Sequence, residues 1–201
     1  LFELVRQPSI SAQKLGFDKA PGLMKELLER NGFEAEIVPV PNNGLPTVYG
    51  YMAASENSEN APTLLFYCHY DVQPVDPLDL WDTDPFEPTQ IGDRLYGRGM
   101  SDDKGNIGAR LAAIKAFIDE RGGVPCNIKM FCEGEEESGS INLPGLIAER
   151  GNDFKADACI WEGGGRNLNN DPFMYLGLKG MLGVGLSVSM LSGDAHSMYA
   201  A

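Results

Sequence analysis

Acidic and histidine side chains follow several apolar segments of the sequence, at the points where buried strands would end. His69 and Asp71 follow the run TLLFYC with an i, i+2 spacing, which places both side chains on one face of an extended segment. The same pattern recurs at Asp102 with Asp103, at Glu136 with Glu137, and at Glu162. An imidazole among carboxylates is a ligand set typical of zinc or a similar transition metal, and one carboxylate can orient the histidine ring.

Each of these groups has a simpler explanation when it is taken alone. Asp102 and Asp103 precede a helical pattern and could serve only to cap it. His69 could be a hydrogen-bonded core histidine, and the glutamates of EGEEESGS could form a solvated loop. Like charges gathered at one edge of a sheet are unfavourable unless cations neutralise them. Their recurrence after successive strands therefore favours a metal centre over three unrelated features.

The elements that must position these side chains alternate between strand and helix patterns. Apolar residues at helical spacing predict helices within 17–33, 105–122 and 143–151. Alternating or continuous apolar runs predict strands in EAEIVPV, PTVYGYM, TLLFYCHYDV, VPCNIKMFCEG and ADACIWEG. This order predicts an α/β fold, a three-layer α/β/α sandwich with a mixed, mainly parallel sheet. In such sheets, sites lie beyond the carboxyl ends of the strands, where His69 and the acidic residues fall.

The pattern changes at both ends of the chain. The first residues, LFELVRQPSIS, are typical of the end of an amphipathic helix. Near the other end, MLGVGLSVSML alternates apolar and small residues, as an antiparallel strand does. We therefore expect one domain over residues 1–178 and the start of a second, α+β domain over residues 179–201.

Charge and cysteine content narrow the classes of function. The net charge of −13 argues against binding to nucleic acid or to an anionic membrane surface. No apolar run approaches the ~18–20 residues that span a bilayer.

The four cysteines lie in or beside strand-like runs without a C-x-x-C pair, which predicts reduced, buried thiols in a cytoplasmic protein, with disulfides as the alternative. The aspartates around Trp81 could bind calcium or form an exposed loop that Trp81 anchors.

Four motifs, CHYDVQP, LYGRGMSDDKG, EGEEESGS and GDAHS, resemble in order the signatures of the M20 metallopeptidases. That family includes carnosinase-like dipeptidases, glutamate carboxypeptidases, aminoacylases, and the acetylornithine and succinyl-diaminopimelate deacylases. The resemblance implies a zinc-exopeptidase-like catalytic domain with two Zn²⁺ ions per active site, for which Co²⁺ or Mn²⁺ can substitute. It also implies a lid domain through which the protein forms a homodimer. The residues of the first three motifs are most similar to those of the dipeptidase branch of the family.

The resemblance implies a role in the metal centre for four of the matching residues. His69 would bind the first zinc and Asp71 would orient it. Asp102 would bridge both ions, and the family's peptide bond after this aspartate is cis. Glu162 would complete the first zinc site. A glutamate at this position is more usual in the carboxypeptidases and deacylases of the family, and an aspartate in its dipeptidases.

The resemblance implies catalytic roles for Glu136 and His196 and a ligand role for Glu137. Glu136 would be the general base, Glu137 would bind the second zinc, and His196 of the lid would reach the partner subunit's active site and polarise the substrate carbonyl. The function implied is that of a dinuclear zinc hydrolase that cleaves an amide or peptide bond in a small substrate such as a dipeptide. A deacylase of N-acyl amino acids and a non-catalytic metal-binding protein with the same fold are the alternatives.

The sequence departs from the family pattern in its histidines. The family carries one further metal-binding histidine, whereas this sequence contains only His69 and His196. The chain is similar to the first half of a longer protein of this family. We therefore expect weak occupancy of the second metal site, and no turnover from this chain alone.

Overall fold

A computed structural model describes residues 1–173, 175, 180 and 182–187. The chain forms two compact units, residues 1–163 and residues 164–201. The helices of the first unit are α1 (Phe2–Arg6), α2 (Ala20–Arg30), α3 (Lys104–Arg121) and α4 (Leu143–Arg150). Its strands are β1 (Glu34–Val40), β2 (Gly44–Met52), β3 (Thr63–His69), β4 (Thr89–Ile91), β5 (Arg94–Tyr96), β6 (Asn127–Glu133) and β7 (Ala158–Trp161).

Five strands of the first unit form one mixed sheet in the order β1-β2-β6-β3-β7. Strand β3 pairs in parallel with both β6 and β7, whereas β2 is antiparallel to both β1 and β6. Four of these strands consequently run in one direction and β2 runs in the other. His69 and Glu133 are register partners at the ends of β3 and β6, so the two strands deliver their following residues to the same edge of the sheet.

Helices cover both faces of this sheet, as the alternating pattern predicts. Residues Phe66 and Cys68 of β3 face a core shared with α2 and α3. Residues Leu65 and Tyr67 point to the opposite face, where they pack in a cluster that includes Leu146 of α4. Because the side chains of a strand alternate between faces, β3 is buried on both sides and its sequence is a continuous apolar run.

Local signals account for the ends of the two main helices. Helix α2 begins with Pro21 in its first turn and is followed by Gly32 with a φ of 88°. Helix α3 ends at Gly122, which has a φ of 80° and whose amide donates to the Ile118 carbonyl oxygen. Glycine adopts this left-handed conformation without the steric penalty of a Cβ atom, so both helices end where the sequence predicts. No helix among the described residues has the length and apolar character needed to cross a membrane.

Three expectations from the sequence are corrected. All four cysteines are free, but only Cys68 and Cys132 are buried: Cys126 is half-buried, and Cys159 is exposed because β7 is the edge strand of the sheet that the described residues form. The apolar pattern of residues 105–122 predicts that Phe117 lies on the buried face of the helix, whereas it lies on the exposed side of α3. No strand forms over residues 182–187, within the segment where an antiparallel strand was expected.

The segment between β3 and α3 forms an exposed loop and the β4–β5 hairpin, and the hairpin was not predicted. Trp81 anchors the loop as expected, because its Nε1 donates to the Val75 carbonyl oxygen at 2.9 Å and its ring lies 5.0 Å from the Arg98 guanidinium. In the part of the chain that the structure describes, the aspartates around Trp81 do not converge on a metal site.

The second unit contains a short hairpin of β8 (Gly165–Arg166) and β9 (Pro172–Phe173). The Arg166 guanidinium donates to the Asn170 carbonyl oxygen within this hairpin at 2.7 Å. The predicted domain boundary between residues 178 and 179 lies outside the described residues, and it stays a prediction.

Candidate metal centre and active site

The centre of the site is His69, the last residue of β3, which is 1% exposed. Its Nε2 donates to Asp102 Oδ1 at 2.8 Å, and its Nδ1 lies 3.1 Å from the carbonyl oxygen of Asp71. Burial lowers the pKa of His69, but the hydrogen bond to Asp71 and the charges of nearby carboxylates outweigh it and raise this pKa to about 10. Both ring nitrogens face oxygen atoms, which favours the protonated ring while no metal is bound.

Asp102 reaches His69 from the turn that precedes α3. Its side chain is 71% exposed, and the peptide bond between Asp102 and Asp103 is cis, as the resemblance implies. The turn thus presents one carboxylate to the ring of His69 from the solvent side. The neighbouring Asp103 points inward and is buried.

Glu136 and Glu162 complete a group of possible metal ligands with His69. One donor atom from each of these three residues lies within 4.8 Å of the other two. Glu136 lies in a single helical turn after β6, and its Oε2 is 3.8 Å from His69 Nε2. Glu162 follows β7 and has a left-handed φ of 36°, a conformation that non-glycine residues adopt more often at functional sites than elsewhere.

The pKa values of the two glutamates reflect burial next to other charges. Burial raises the pKa of Glu136 to about 7, with further contributions from Glu162, Glu137 and Asp71 that outweigh the lowering effect of His69. Burial also raises the pKa of Glu162, again against the effect of His69. A carboxyl group with a pKa near 7 can both accept and release a proton at neutral pH.

This donor set fits a zinc ion. Zinc is bound by imidazole nitrogen and carboxylate oxygen at about 2.0–2.2 Å, so ligand atoms that share one ion lie within a few ångströms of one another. His69, Glu136 and Glu162 meet that condition, and Asp102 lies in hydrogen-bond contact with His69. Nδ1 of His69 is held by Asp71, and Nε2 faces Asp102 and Glu136, so Nε2 is the nitrogen that would bind a metal once its proton is lost.

Asp71 connects the histidine to the glutamate turn. It is fully buried, and its Oδ1 lies 3.4 Å from His69 Nδ1. The backbone amides of Glu136 and Glu137 donate to its Oδ1 and Oδ2 at 3.3 and 3.0 Å. Asp71 therefore contacts the His69 ring through both its carbonyl oxygen and its carboxylate, and the same carboxylate holds the backbone of the two glutamates. The role in orienting His69 that the resemblance implies for Asp71 stays a prediction.

Two of the four clustered glutamates are structural. Glu133 is 2% exposed, and its Oε2 accepts a hydrogen bond from the Tyr67 hydroxyl at 2.5 Å. Glu135 accepts hydrogen bonds from the backbone amide of Leu45 and from the Asn142 side chain. Both carboxylates are engaged by hydrogen bonds that fasten the end of β6 and the following turn to neighbouring elements. Sequence reasoning could not assign these roles, because the partners are distant along the chain.

Glu137 has a different environment from Glu136. Its Oε2 accepts a hydrogen bond from Gln73 Nε2 at 2.8 Å, and it is not part of the three-residue group around His69. The structure therefore brings together His69, Asp71, Asp102, Glu136 and Glu162 and places Glu137 beside them. The expected lid histidine, His196, lies outside the described residues.

Two buried residues lie behind the site: Asp103, which the sequence offers as a strand-end carboxylate or a helix cap, and Lys104, which sequence reasoning missed. Asp103 Oδ2 accepts the backbone amide of His69 at 3.1 Å, and its Oδ1 accepts Asn106 Nδ2 at 2.6 Å. Lys104 is 1% exposed and donates to the carbonyl oxygens of Leu4 and Gln7. The run of charged residues in SDDKG indicates that this segment matters to the structure. The sequence alone does not show whether these side chains cap the following helix or are buried and hold the site in place.

Comparison with known proteins agrees with this geometry. Residues 65–174 match the model of peptidase family M20/M25/M40. The chain is 36% identical over 172 residues to the Cys-Gly metallodipeptidase of Schizosaccharomyces pombe, which covers 82% of this chain and 34% of that protein. It is 38% identical over 110 residues to the Beta-Ala-His dipeptidase of Rattus norvegicus, which covers 55% of this chain and 22% of that protein. The chain thus spans about a third or less of these two relatives.

Solved structures of related enzymes are also similar to this chain. The M20 family metallo-carboxypeptidase Sso-CP2 from Sulfolobus solfataricus superposes with a TM-score of 0.76 at 41% identity, over 84% of this chain and 37% of that chain. Human carnosine dipeptidase 1 superposes with a TM-score of 0.68 at 30% identity, over 79% of this chain and 36% of that chain. The fold of the matched part of the chain is therefore shared with these two proteins.

Proposed function

Because the chain belongs to peptidase family M20/M25/M40, we propose that it forms the metal-binding part of a zinc-dependent enzyme that hydrolyses the peptide bond of dipeptides. The observation that carries this proposal is the convergence of His69, Glu136 and Glu162, with Asp102 in contact, at the end of a parallel strand. His69, Asp102 and Glu162 would bind the first ion. Asp102 and Glu137 would contribute to a second.

A zinc pair, when bound, supplies an acidified water and a Lewis acid for the carbonyl oxygen of the substrate. The protein's own contribution is the control of protons and geometry. Glu136, whose pKa is about 7, would accept a proton from the attacking water and pass it to the leaving amine. Asp71 would keep Glu136 in place through the backbone amide, and would keep His69 oriented through Nδ1.

Glu136 and Glu137 are suited to divided tasks. A general base must stay free to carry a proton, so it cannot also be a tight ligand. Glu136 lies 3.8 Å from His69 Nε2 in a partly buried position, whereas Glu137 is held by Gln73. This difference supports Glu136 as the base and Glu137 as a ligand.

The substrate is proposed to be a dipeptide, since Cys-Gly and Beta-Ala-His dipeptidases are among the similar proteins. A second candidate is a carboxypeptidase that removes the last residue of a longer peptide. The likeness to the Sulfolobus metallo-carboxypeptidase favours it. The glutamate at position 162 favours both this candidate and a deacylase, since the resemblance associates glutamate there with carboxypeptidases and deacylases. N-acyl amino acids are a third class of substrate, which the same test distinguishes.

Several further features of the intact enzyme belong to the same proposal. The protein would act in the cytoplasm as a homodimer formed through its lid domain, and His196 would reach the partner subunit's active site. A further metal-binding histidine would be needed outside this sequence, which contains only His69 and His196. The chain taken alone would therefore bind the second ion weakly and would not turn over substrate.

The test is an activity screen of the full-length gene product beside the 201-residue chain. Both are assayed with Cys-Gly, β-Ala-His, longer peptides and N-acetyl amino acids, after chelation and after addition of zinc. We expect zinc-dependent release of amino acids from dipeptides by the full-length protein and none by the shorter chain. Metal-independent hydrolysis, or no hydrolysis of any amide by the zinc-loaded full-length protein, would refute the proposal.

A further inference from the structure

The segment that leaves β3 presents three polar side chains to the site at alternating positions. His69, Asp71 and Gln73 are spaced i, i+2, i+4, the spacing that places side chains on one face of an extended segment. His69 forms the centre of the metal-binding group, and Asp71 binds the backbone of the glutamate turn. Gln73 is exposed and continues the same series toward Glu137.

Gln73 holds Glu137 at two points. Its Nε2 donates to Glu137 Oε2 at 2.8 Å and to the Glu137 carbonyl oxygen at 3.0 Å. The backbone amide of the same glutamate donates to Asp71 Oδ2 at 3.0 Å. Amide, carbonyl and carboxylate of Glu137 are thus all fixed by residues from the β3 exit.

We propose that Gln73 is a positioning residue that orients the carboxylate of Glu137 for metal binding. The inference rests on the proposed function, in which Glu137 is a ligand of the second zinc. One carboxylate oxygen of Glu137 is engaged by the Gln73 amide, which leaves Oε1 available to an ion. Carboxylates that bind metals are commonly held in this way by a neighbouring hydrogen-bond donor.

The side-chain type at position 73 suits this task. A neutral amide orients a carboxylate without neutralising it, so the full negative charge of Glu137 remains available to a cation. A lysine or arginine at position 73 would compete with the metal for the charge of Glu137, and a glutamate there would repel the Glu137 carboxylate. Because Gln73 is exposed, its replacement removes the contact with Glu137 without opening the core.

The experiment compares Gln73→Ala with Glu137→Ala and with a matched control in the full-length gene product. The control is Gln90→Ala, because Gln90 is also an exposed glutamine whose Nε2 donates to a backbone carbonyl, that of Gly92 at 3.1 Å. Zinc affinity is measured by competition with a chromophoric chelator, which reports each bound ion without any need for turnover. We expect Gln73→Ala to weaken one of two zinc sites by about 10–100-fold, and Gln90→Ala to weaken neither.

The three variants separate the failure of this inference from the failure of the proposed function. If Glu137→Ala weakens one zinc site and Gln73→Ala binds zinc like the wild type, Gln73 has no positioning role and the ligand role of Glu137 stands. If Glu137→Ala leaves both zinc sites intact, the ligand role falls and the inference falls with it. A Gln73→Glu variant should weaken the same site at least as much as Gln73→Ala, because it replaces a donor with a like charge.

Discussion

The carboxylate of Asp71 lies 3.4 Å from His69 Nδ1 and accepts the backbone amide of Glu137 at 3.0 Å. His69 is the last residue of β3 and Asp71 follows it, whereas Glu137 belongs to the helical turn that follows β6. One buried side chain therefore fixes a histidine and a glutamate that are far apart in sequence. Changes at Asp71 should affect both.

The first prediction concerns Asp71→Asn, which keeps the shape of the side chain and removes its charge. The Asp71 carboxylate now faces three N–H groups, those of the His69 ring and of the Glu136 and Glu137 backbone. An asparagine side chain has only one oxygen acceptor, so we expect both the His69 ring and the glutamate turn to be held less firmly. We expect zinc affinity to fall by about 10–100-fold and the pKa of His69 to drop. Chelator competition and an NMR titration of the imidazole measure the two effects.

The control for this variant is Asp119→Asn, since Asp119 is a surface residue paired with Lys115 on the exposed side of α3. It should leave both quantities unchanged. An Asp71→Asn protein with wild-type zinc affinity and an unchanged His69 pKa would show that Asp71 does not orient the histidine.

The second prediction concerns the pH dependence of zinc binding. His69 has a pKa of about 10 without metal, so at pH 7 it carries a proton that zinc must displace from Nε2. A rise in pH removes this competing proton, so affinity should increase about tenfold per pH unit between pH 7 and 9, for one proton released. Acidification should weaken binding.

Calorimetry in two buffers with different ionisation enthalpies measures the number of protons released. We expect at least one per zinc in the wild-type protein and fewer in a His69→Gln variant. Equal binding heats in both buffers, with an affinity that does not change with pH, would be inconsistent with a protonated His69 in the metal-free site.

The third prediction concerns the buried Glu133. Burial raises the pKa of Glu133, so the folded state favours its protonated form. Its contribution to stability is fully present below the unfolded value of about 4.5 and is lost as pH rises through the folded value. A Glu133→Gln substitution keeps an acceptor for the Tyr67 hydroxyl and removes this dependence.

The stability of Glu133→Gln relative to the wild type should therefore increase from pH 4.5 to pH 8. The gain is about 1.4 kcal/mol for each pH unit by which the native pKa of Glu133 exceeds its unfolded value. Urea denaturation of the metal-free proteins at both pH values measures it, with Glu29→Gln on the surface of α2 as the control. A relative stability that falls over this pH range would mean that Glu133 is buried as a stabilised carboxylate.

Much of the fold could be predicted because its signals are local. The strand EAEIVPV has the bounds expected for β1, and the helix pattern of residues 105–122 is shifted by a single residue in α3. His69, Asp102, Glu136 and Glu162 could be identified as candidates because each follows a strand or precedes a helix. Convergence of such positions is a property of parallel strands, so it follows from the order of elements.

The supporting residues could not be predicted, because their partners come from distant parts of the chain. Gln73 contacts a glutamate 64 residues away, and Lys104 reaches a carbonyl 100 residues away. No periodicity encodes such contacts. The exposure of Cys159 was missed for a related reason, since an apolar strand has the same sequence pattern at the edge of a sheet as at its centre.

The most direct test of the central claim is the Glu136→Gln variant of the full-length gene product, assayed for dipeptide hydrolysis and for bound zinc. The glutamine is nearly isosteric but cannot accept the proton. We predict a fall in kcat of about 10²–10⁴-fold with zinc content unchanged. Hydrolysis at the wild-type rate with zinc retained would contradict the role of Glu136 as the base, and loss of zinc would assign it as a ligand instead.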